Sequence, residues 1–257
     1  MSTESKVEGP HVGNLGAQPA PHGAATQQPH FIRLYRDTFS KDLCAEVIRR
    51  FEADARKHAS TTATRDKPRL RSGTMLQIGE LADWSDINQA YAEALEKNLK
   101  AYAQAFPTLQ QLISSPATKR TPPLLERIEP GQGFGMHIDA SVAGTHDRMV
   151  AVLMYLKDVE QGGETQFPFQ SIQVKPRAGL MVLFPPYWTH PHQGTSPISG
   201  YKYNLTSYVV ALSATLHLLT AGTDSSTPAL RWAALVGAMA IVFFTIYRLL
   251  APKAPAR

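Results

Sequence analysis

EPGQGFGMHID, residues 129–139, ends in a histidine and an aspartate one residue apart, His137 and Asp139. A neutral imidazole and a carboxylate are what a divalent iron site needs. In the two-histidine, one-carboxylate arrangement they occupy one face of the metal and leave the other open. Alone the pair is a weak signal, because most such histidines are solvated or make an ordinary hydrogen bond. Its weight comes from residues further along the chain.

A third ligand is expected from a later strand, and FPPYWTHPHQGTSPISGYKYNLTSYVV (residues 184–210) offers two histidines, His190 and His192. Lys202 stands ten residues after His192, inside the alternating stretch 201–210. A cation within a strand of a barrel-like fold is costly unless an anion pairs with it. The anion that suits an open iron is the distal carboxylate of 2-oxoglutarate, whose keto-acid end would chelate the metal.

Taken together, His137-x-Asp139, His192 and Lys202 resemble the iron(II)/2-oxoglutarate-dependent dioxygenases, and within them the prolyl 4-hydroxylase-like branch. Flanking motifs match the same branch: RMVAVLMYLK (148–157), Gly162-Gly163-Glu164-Thr165 followed by Phe167, and the V-x-P-x-x-G-x-x-x-x-F pattern from Val174 to Phe184. The resemblance covers about Phe31 to Val210. It implies His137, Asp139 and His192 as iron ligands, and His192 over His190 because the family interval to the lysine is ten residues. His190 is then expected at the rim or behind the ligands. It further implies that Lys202 and Tyr155 hold the distal carboxylate and that Thr206 lies near an iron-bound water. Iron(II), 2-oxoglutarate and O2 are implied as cofactor and co-substrates, with ascorbate as an accessory. One departure stands out: many relatives have a tyrosine just before the Pro-Gly turn, where this chain has Arg127, Ile128 and Glu129.

Each part has a plainer reading. Tyr155 suits a core tyrosine with a satisfied hydroxyl, Gly162-Gly163 an ordinary hairpin turn, and Lys202 an edge-strand charge that blocks aggregation. Their joint occurrence in this order favours the oxygenase.

The rest of the chain fits one catalytic domain with appendages. Hydrophobic residues make up 43% of the 257, enough for a real core, and the formal charge is +5 with no basic, aromatic-interleaved track for nucleic acid. One cysteine, Cys44, excludes an intramolecular disulfide and fits a reducing compartment. Residues 1–29, rich in Gly, Ala, Pro and Gln, read as a disordered arm without the apolar run of a secretory signal. The domain spans 30–213. Phe31–Tyr35 reads as a strand. Ser40 caps a helix over residues 41–58, and a second runs from 86 to 105 with Ile87, Tyr91, Leu95 and Leu99 as its stripe. Residues 59–75 read as a loop and short strand carrying Arg65, Lys67, Arg69 and Arg71, either solvated or in contact with an acidic or extended substrate. From 123 to 210 short strands alternate with turns, which argues for two β-sheets. The expected fold is therefore α+β and mainly β. The family makes it a double-stranded β-helix, or jelly roll, buttressed by the N-terminal helices.

After a linker at 214–228, Trp232–Tyr247 is uncharged. Extended to 229–251, it would span about 34 Å as a helix, enough for a bilayer core. The expectation is a C-terminal transmembrane helix; a hydrophobic helix docked on the domain is the alternative. Basic residues after the span favour a cytoplasmic C-terminus, whereas iron(II) and 2-oxoglutarate supply favours a cytoplasmic catalytic domain, and the second argument is preferred.

The reading is an oxidative C–H hydroxylase. A protein or peptide side chain, proline among them, is the first substrate class, by analogy alone. A free amino acid or small metabolite is the rival, and a catalytically idle, membrane-tethered jelly-roll binding module is the alternative from another class. Asp139 argues against halogenation, which needs that ligand position empty.

Overall fold

The computed structural model describes residues 30–64, 67–141 and 144–212, and its elements fall in the unit that begins at Phe31. Three helices form: α1 (Lys41–Ala53), α2 (Ser85–Ala105) and α3 (Pro107–Ile113). The strands are β1 (Arg33–Tyr35), β2 (His58–Thr64), β3 (Lys67–Leu76), β4 (Thr118–Arg120), β5 (Leu124–Ile128) and β6 (Phe134–His137). They continue with β7 (Arg148–Tyr155), β8 (Thr165–Phe167), β9 (Ile172–Val174), β10 (Leu180–Phe184), β11 (His192–Gly194) and β12 (Lys202–Ala211).

Strand order is β1-β10-β7-β12-β5-β3-β6-β11-β8-β9, with β2 on β3 and β4 on β12. β3 joins the two halves of this order, pairing with β5 and with β6. Alternation decides what each face does. On β12 the odd residues Tyr203, Leu205 and Val209 enter the helix-facing core, while Lys202, Asn204, Thr206 and Tyr208 line a cavity. On β7, Val150, Val152 and Met154 face the helices, whereas Ala151 and Tyr155 join a second cluster with Phe167, Val182 and Phe184.

The helical side of the core follows from sequence periodicity. Ile87, Tyr91, Leu95 and Leu99 of α2 recur every four residues and are buried, and Tyr91 shares a hydrogen bond of 2.7 Å with Ser207 of β12. Ser40 caps α1 by accepting the Leu43 N–H at 3.1 Å. This helix is shorter than expected and ends at Ala53, because Asp54 turns extended and is engaged elsewhere. Its carboxylate accepts the Arg56 N–H at 2.9 Å and the Trp84 indole N–H at 3.2 Å. Lys57 caps the exit, donating to the carbonyls of Phe51, Glu52 and Asp54. Residues 58–76 are not a loop with a short strand but a long antiparallel hairpin, β2–β3.

The Gly179 of the V-x-P-x-x-G motif has φ +76, and a side chain there would run into the Phe39 carbonyl. Glycine is the residue that takes this conformation at no steric cost.

The expected fold class needs correction. It is a mixed α/β fold with a sheet-rich core consistent with a jelly roll, and its described residues include no transmembrane helix. No helix among the described residues is long and apolar enough to cross a membrane. The longest, α2, has 21 residues and is amphipathic, with Glu93, Glu96, Lys97 and Lys100 exposed opposite its apolar stripe. The segment at 229–251 that prompted the membrane expectation lies outside the described residues, as do the arm at 1–29 and the linker at 214–228.

Candidate metal and co-substrate site

β6 and β11 are antiparallel neighbours in which His137 faces His192 directly, so two residues far apart in the domain's sequence meet at one spot. The two rings lie 4.4 Å apart between centroids. Just beyond β6, the N–H groups of Asp139 and Ala140 both donate to the Pro186 carbonyl, at 3.1 and 2.9 Å. This turns the Asp139 side chain back toward the histidines. Asp139 Oδ1 is 3.6 Å from His137 Nε2, and its Oδ2 is 3.5 Å from His192 Nε2. One donor atom from each of the three lies within 4.8 Å of the others.

The rear of each imidazole is also fixed. His137 Nδ1 is 2.7 Å from the Gly135 carbonyl, and His192 Nδ1 is 3.1 Å from that of His190. Nδ1–H donation to a carbonyl leaves Nε2 as the lone-pair nitrogen, the tautomer a metal ligand needs. Two Nε2 atoms and a carboxylate oxygen that converge, each ring held from behind, fit iron(II). Burial on its own would raise Asp139, yet hydrogen bonding from His137 and the nearby His192 and His137 charges bring its carboxyl below the usual value. His192 is lowered, first by burial. The lowering of His192 favours the neutral imidazole that a metal ligand needs.

His190 is not in this set. It is 4% exposed, inside the fold rather than at a rim, and its Nδ1 meets the Thr189 hydroxyl at 2.9 Å. Its contribution to His192 comes through its backbone carbonyl.

The cavity in front of the three residues has a volume of about 580 Å³. Lys202 lies within it at 3% exposure. Its Nζ is 5.2 Å from the Tyr155 ring centroid. Gly163 and Gly194 flank it closely: a β-carbon at the first would sit 3.6 Å from Lys202 Cδ, and one at the second 3.7 Å from Nζ. Burial pushes the ammonium down to about 8, and Glu126 and Glu164 offset this only through space. A buried cation with no ion-pair partner among the described residues fits the carboxylate of a dianionic co-substrate. Tyr155 donates its hydroxyl to Thr165 at 2.6 Å. Thr206 lines the cavity and donates to Glu126 at 3.3 Å, beside Asn204, which donates to the same oxygen at 3.2 Å.

Lys202 gives the site a pH dependence. As pH rises through about 8 the free protein loses the ammonium, and a dicarboxylate then binds only the remaining protonated fraction. Affinity for 2-oxoglutarate is thus full near pH 7 and weaker by roughly tenfold at pH 9. Calorimetric titration of the manganese(II) form at both pH values tests this. Equal affinities would refute it, and Lys202→Met should bind weakly with no difference between the two.

Three residues of this site escape the sequence reading: Tyr208, Arg148 and Glu126. The Tyr208 hydroxyl donates to Asp139 Oδ1 at 3.1 Å, and Arg148 donates to the Asp139 carbonyl at 2.8 Å while lying 3.6 Å over the Tyr208 ring. Burial, then the Asp139 charge, hold the Tyr208 phenol well above its ordinary value, so it remains a donor. The alternation of β12 carried the signal, since Tyr208 shares the parity of Lys202 and Thr206. Glu126 had no such mark; only its pairing opposite Asn204 brings it inward.

Two histidines and a carboxylate in a sheet-rich core consistent with a jelly roll, with a buried lysine lining the same cavity, define an iron(II)/2-oxo-acid oxygenase. Residues 124–210 match the 2OG-Fe(II) oxygenase superfamily. A PKHD-type hydroxylase of Shewanella baltica is 29% identical over 173 residues, covering 64% of this chain and 71% of the relative. A probable prolyl 4-hydroxylase of Arabidopsis thaliana is 31% identical over 147 residues, 42% and 48% of the two chains. The fold is shared with a Trichoplax adhaerens prolyl hydroxylase solved in complex with a hypoxia inducible factor peptide fragment. That likeness has a TM-score of 0.56 at 17% identity, over 71% of this chain and 84% of the other. The chain is a prolyl 4-hydroxylase-like, 2-oxoglutarate-dependent dioxygenase, and it hydroxylates a C–H bond.

Iron(II) with 2-oxoglutarate and O2 supplies the oxidising power of that reaction. The chain's residues bind and orient: His137, Asp139 and His192 are the set that could hold the metal, and Lys202 the group that could hold the distal carboxylate. Phe167 and Phe184 pack on the His192 ring with centroids 5.4 and 4.9 Å away, which restrains its plane.

Proposed function

We propose that the substrate is a peptide or protein side chain, with proline the first residue to test. The observation that carries this reading is the aromatic surface on the loop leading into β11. Trp188 is 76% exposed, Tyr187 is 39% exposed, and Phe169 is 74% exposed on the neighbouring turn. Gln170 ties the two segments together, donating to the Thr189 carbonyl at 2.7 Å. A free amino acid would be swallowed by the cavity and would have no use for exposed rings outside it. Extended, proline-containing peptides dock on such aromatics because their backbone is already preordered. The names of the relatives, a prolyl 4-hydroxylase and a hydroxylase bound to a peptide, support the same class.

The test is stimulated 2-oxoglutarate turnover across proline-containing peptides, free amino acids and other small metabolites, with a one-oxygen mass gain in the product. Trp188→Ala should raise the KM for peptide while leaving 2-oxoglutarate affinity unchanged. Stimulation by free amino acids and not by peptides would sink the proposal. Ascorbate enters as an accessory reductant, judged by omitting it from the same assay. A cytoplasmic setting is part of the proposal, supported by the supply of iron(II) and 2-oxoglutarate there and by a single, buried cysteine, Cys44.

A further inference from the structure

We infer that Tyr208 is a positioning residue for Asp139: its hydroxyl occupies Oδ1 and leaves Oδ2 as the oxygen presented to the metal. The inference rests on the reading of His137, Asp139 and His192 as the metal site.

Asp139 is gripped at three of its groups. Its N–H donates to the Pro186 carbonyl at 3.1 Å. Its carbonyl accepts from Arg148 at 2.8 Å. Its Oδ1 accepts from Tyr208 at 3.1 Å. The first two fix the backbone, so the freedom left to Asp139 is rotation about its two side-chain bonds, Cα–Cβ and Cβ–Cγ. Tyr208 removes that freedom, and Tyr208 is itself located, because the Arg148 guanidinium lies 3.6 Å over its ring. A single arginine therefore holds the main chain of Asp139 and the phenol that orients its side chain.

The consequence concerns denticity. An unrestrained carboxylate can swing both oxygens onto a metal and take up a position that the keto-acid end of the co-substrate needs. The two oxygens stand about equally near a histidine, Oδ1 3.6 Å from His137 Nε2 and Oδ2 3.5 Å from His192 Nε2, so the Tyr208 hydroxyl on Oδ1 is what distinguishes them and leaves Oδ2 without a hydroxyl donor. Hydrogen bonds to an ionised acceptor are among the stronger ones. Outer partners of metal ligands typically contribute about 10–100-fold in metal affinity.

The test is titration of the full chain with manganese(II) by calorimetry, without 2-oxoglutarate. Tyr208→Phe keeps the ring for Arg148 and deletes only the hydroxyl; its affinity should fall by about 10–100-fold. The weak affinity left in Asp139→Ala should not fall further when Tyr208→Phe is added, because the hydroxyl acts through the carboxylate. A merely structural tyrosine would lower the melting temperature in both backgrounds and leave metal affinity alone. If Tyr208→Phe does not fold, Tyr208→Met, an unbranched filler without a donor, should show the same loss. Wild-type binding with unchanged affinity in the folded Tyr208 variant overturns this assignment alone. No binding by the wild type overturns the metal-site reading and the assignment with it.

Discussion

His192→Ala should reduce iron-dependent decarboxylation of 2-oxoglutarate to background, while His190→Ala should keep a measurable fraction of it. The two histidines are two residues apart, and both are buried, at 6% and 4% exposure, so burial does not separate their roles. Geometry does. His192 presents Nε2 to Asp139 at 3.5 Å and stands across from His137 in the β6–β11 pair. His190 turns its Nδ1 to Thr189. Removing His192 deletes one of three donors, a larger loss than the roughly 10–100-fold typical of an outer hydrogen-bond partner. Removing the His190 side chain leaves the His190 carbonyl, the atom that His192 Nδ1 uses. Metal titration should show the same order. The opposite pattern, with His190 essential and His192 dispensable, would move the ligand and undo the strand register built on it.

What the sequence could reveal depended on how local the signal was. His137 and Asp139 lie one residue apart, and β12 carries Lys202 and Thr206 at strict alternation, so a short window contained their relation. Ile87, Tyr91, Leu95 and Leu99 repeat every four residues, and α2 forms where that stripe predicts. The end of α1 was different. Residues 54–58 continue a helical composition, and the chain leaves the helix where the Asp54 carboxylate turns to the backbone and guanidinium of Arg56 and also takes the indole N–H of Trp84, some thirty residues away. No local pattern contains that partner. The β2–β3 hairpin was hidden for a related reason: its threonines and arginines lack apolar alternation, and it is ordered as a sheet by pairing with itself and by β3 bridging β5 and β6. α3 was not picked out from the sequence, although Pro107 at its first turn is a helix-opening position.

The site shows the same division. The three residues of the metal set are read in one dimension, whereas the groups that hold them are cross-strand or come from loops. Pro186 reaches Asp139 and Ala140 from the segment before β11. Arg148 and Tyr208 meet because β7 and β12 are paired. The apolar run at 229–251 suggested a membrane element from a local pattern alone; it lies outside the described residues, among which no helix is long and apolar enough to cross a membrane.

Lys202→Ala should leave metal binding nearly intact and raise the 2-oxoglutarate requirement steeply. The side chain is on the inner face of β12, two residues before Asn204 and four before Thr206, and it lines the same cavity as His137, Asp139 and His192 without being one of their converging donors. Its removal therefore leaves the convergence of His137, Asp139 and His192 untouched. What it removes is the cation between Gly163 and Gly194. A dianion entering that chamber without it meets Glu126 on the cavity wall and the through-space field of Glu164, both of which already act on Lys202, so the lost attraction is compounded by repulsion. Loss of one side of a buried ion pair costs about 3–5 kcal/mol, or roughly 150- to 4,000-fold in KM for 2-oxoglutarate. Glu126→Gln in the Lys202→Ala background should recover part of that loss by lifting the repulsion, which a simple packing defect would not do. Manganese(II) affinity near the wild-type value together with an unchanged KM would remove Lys202 from the co-substrate chamber.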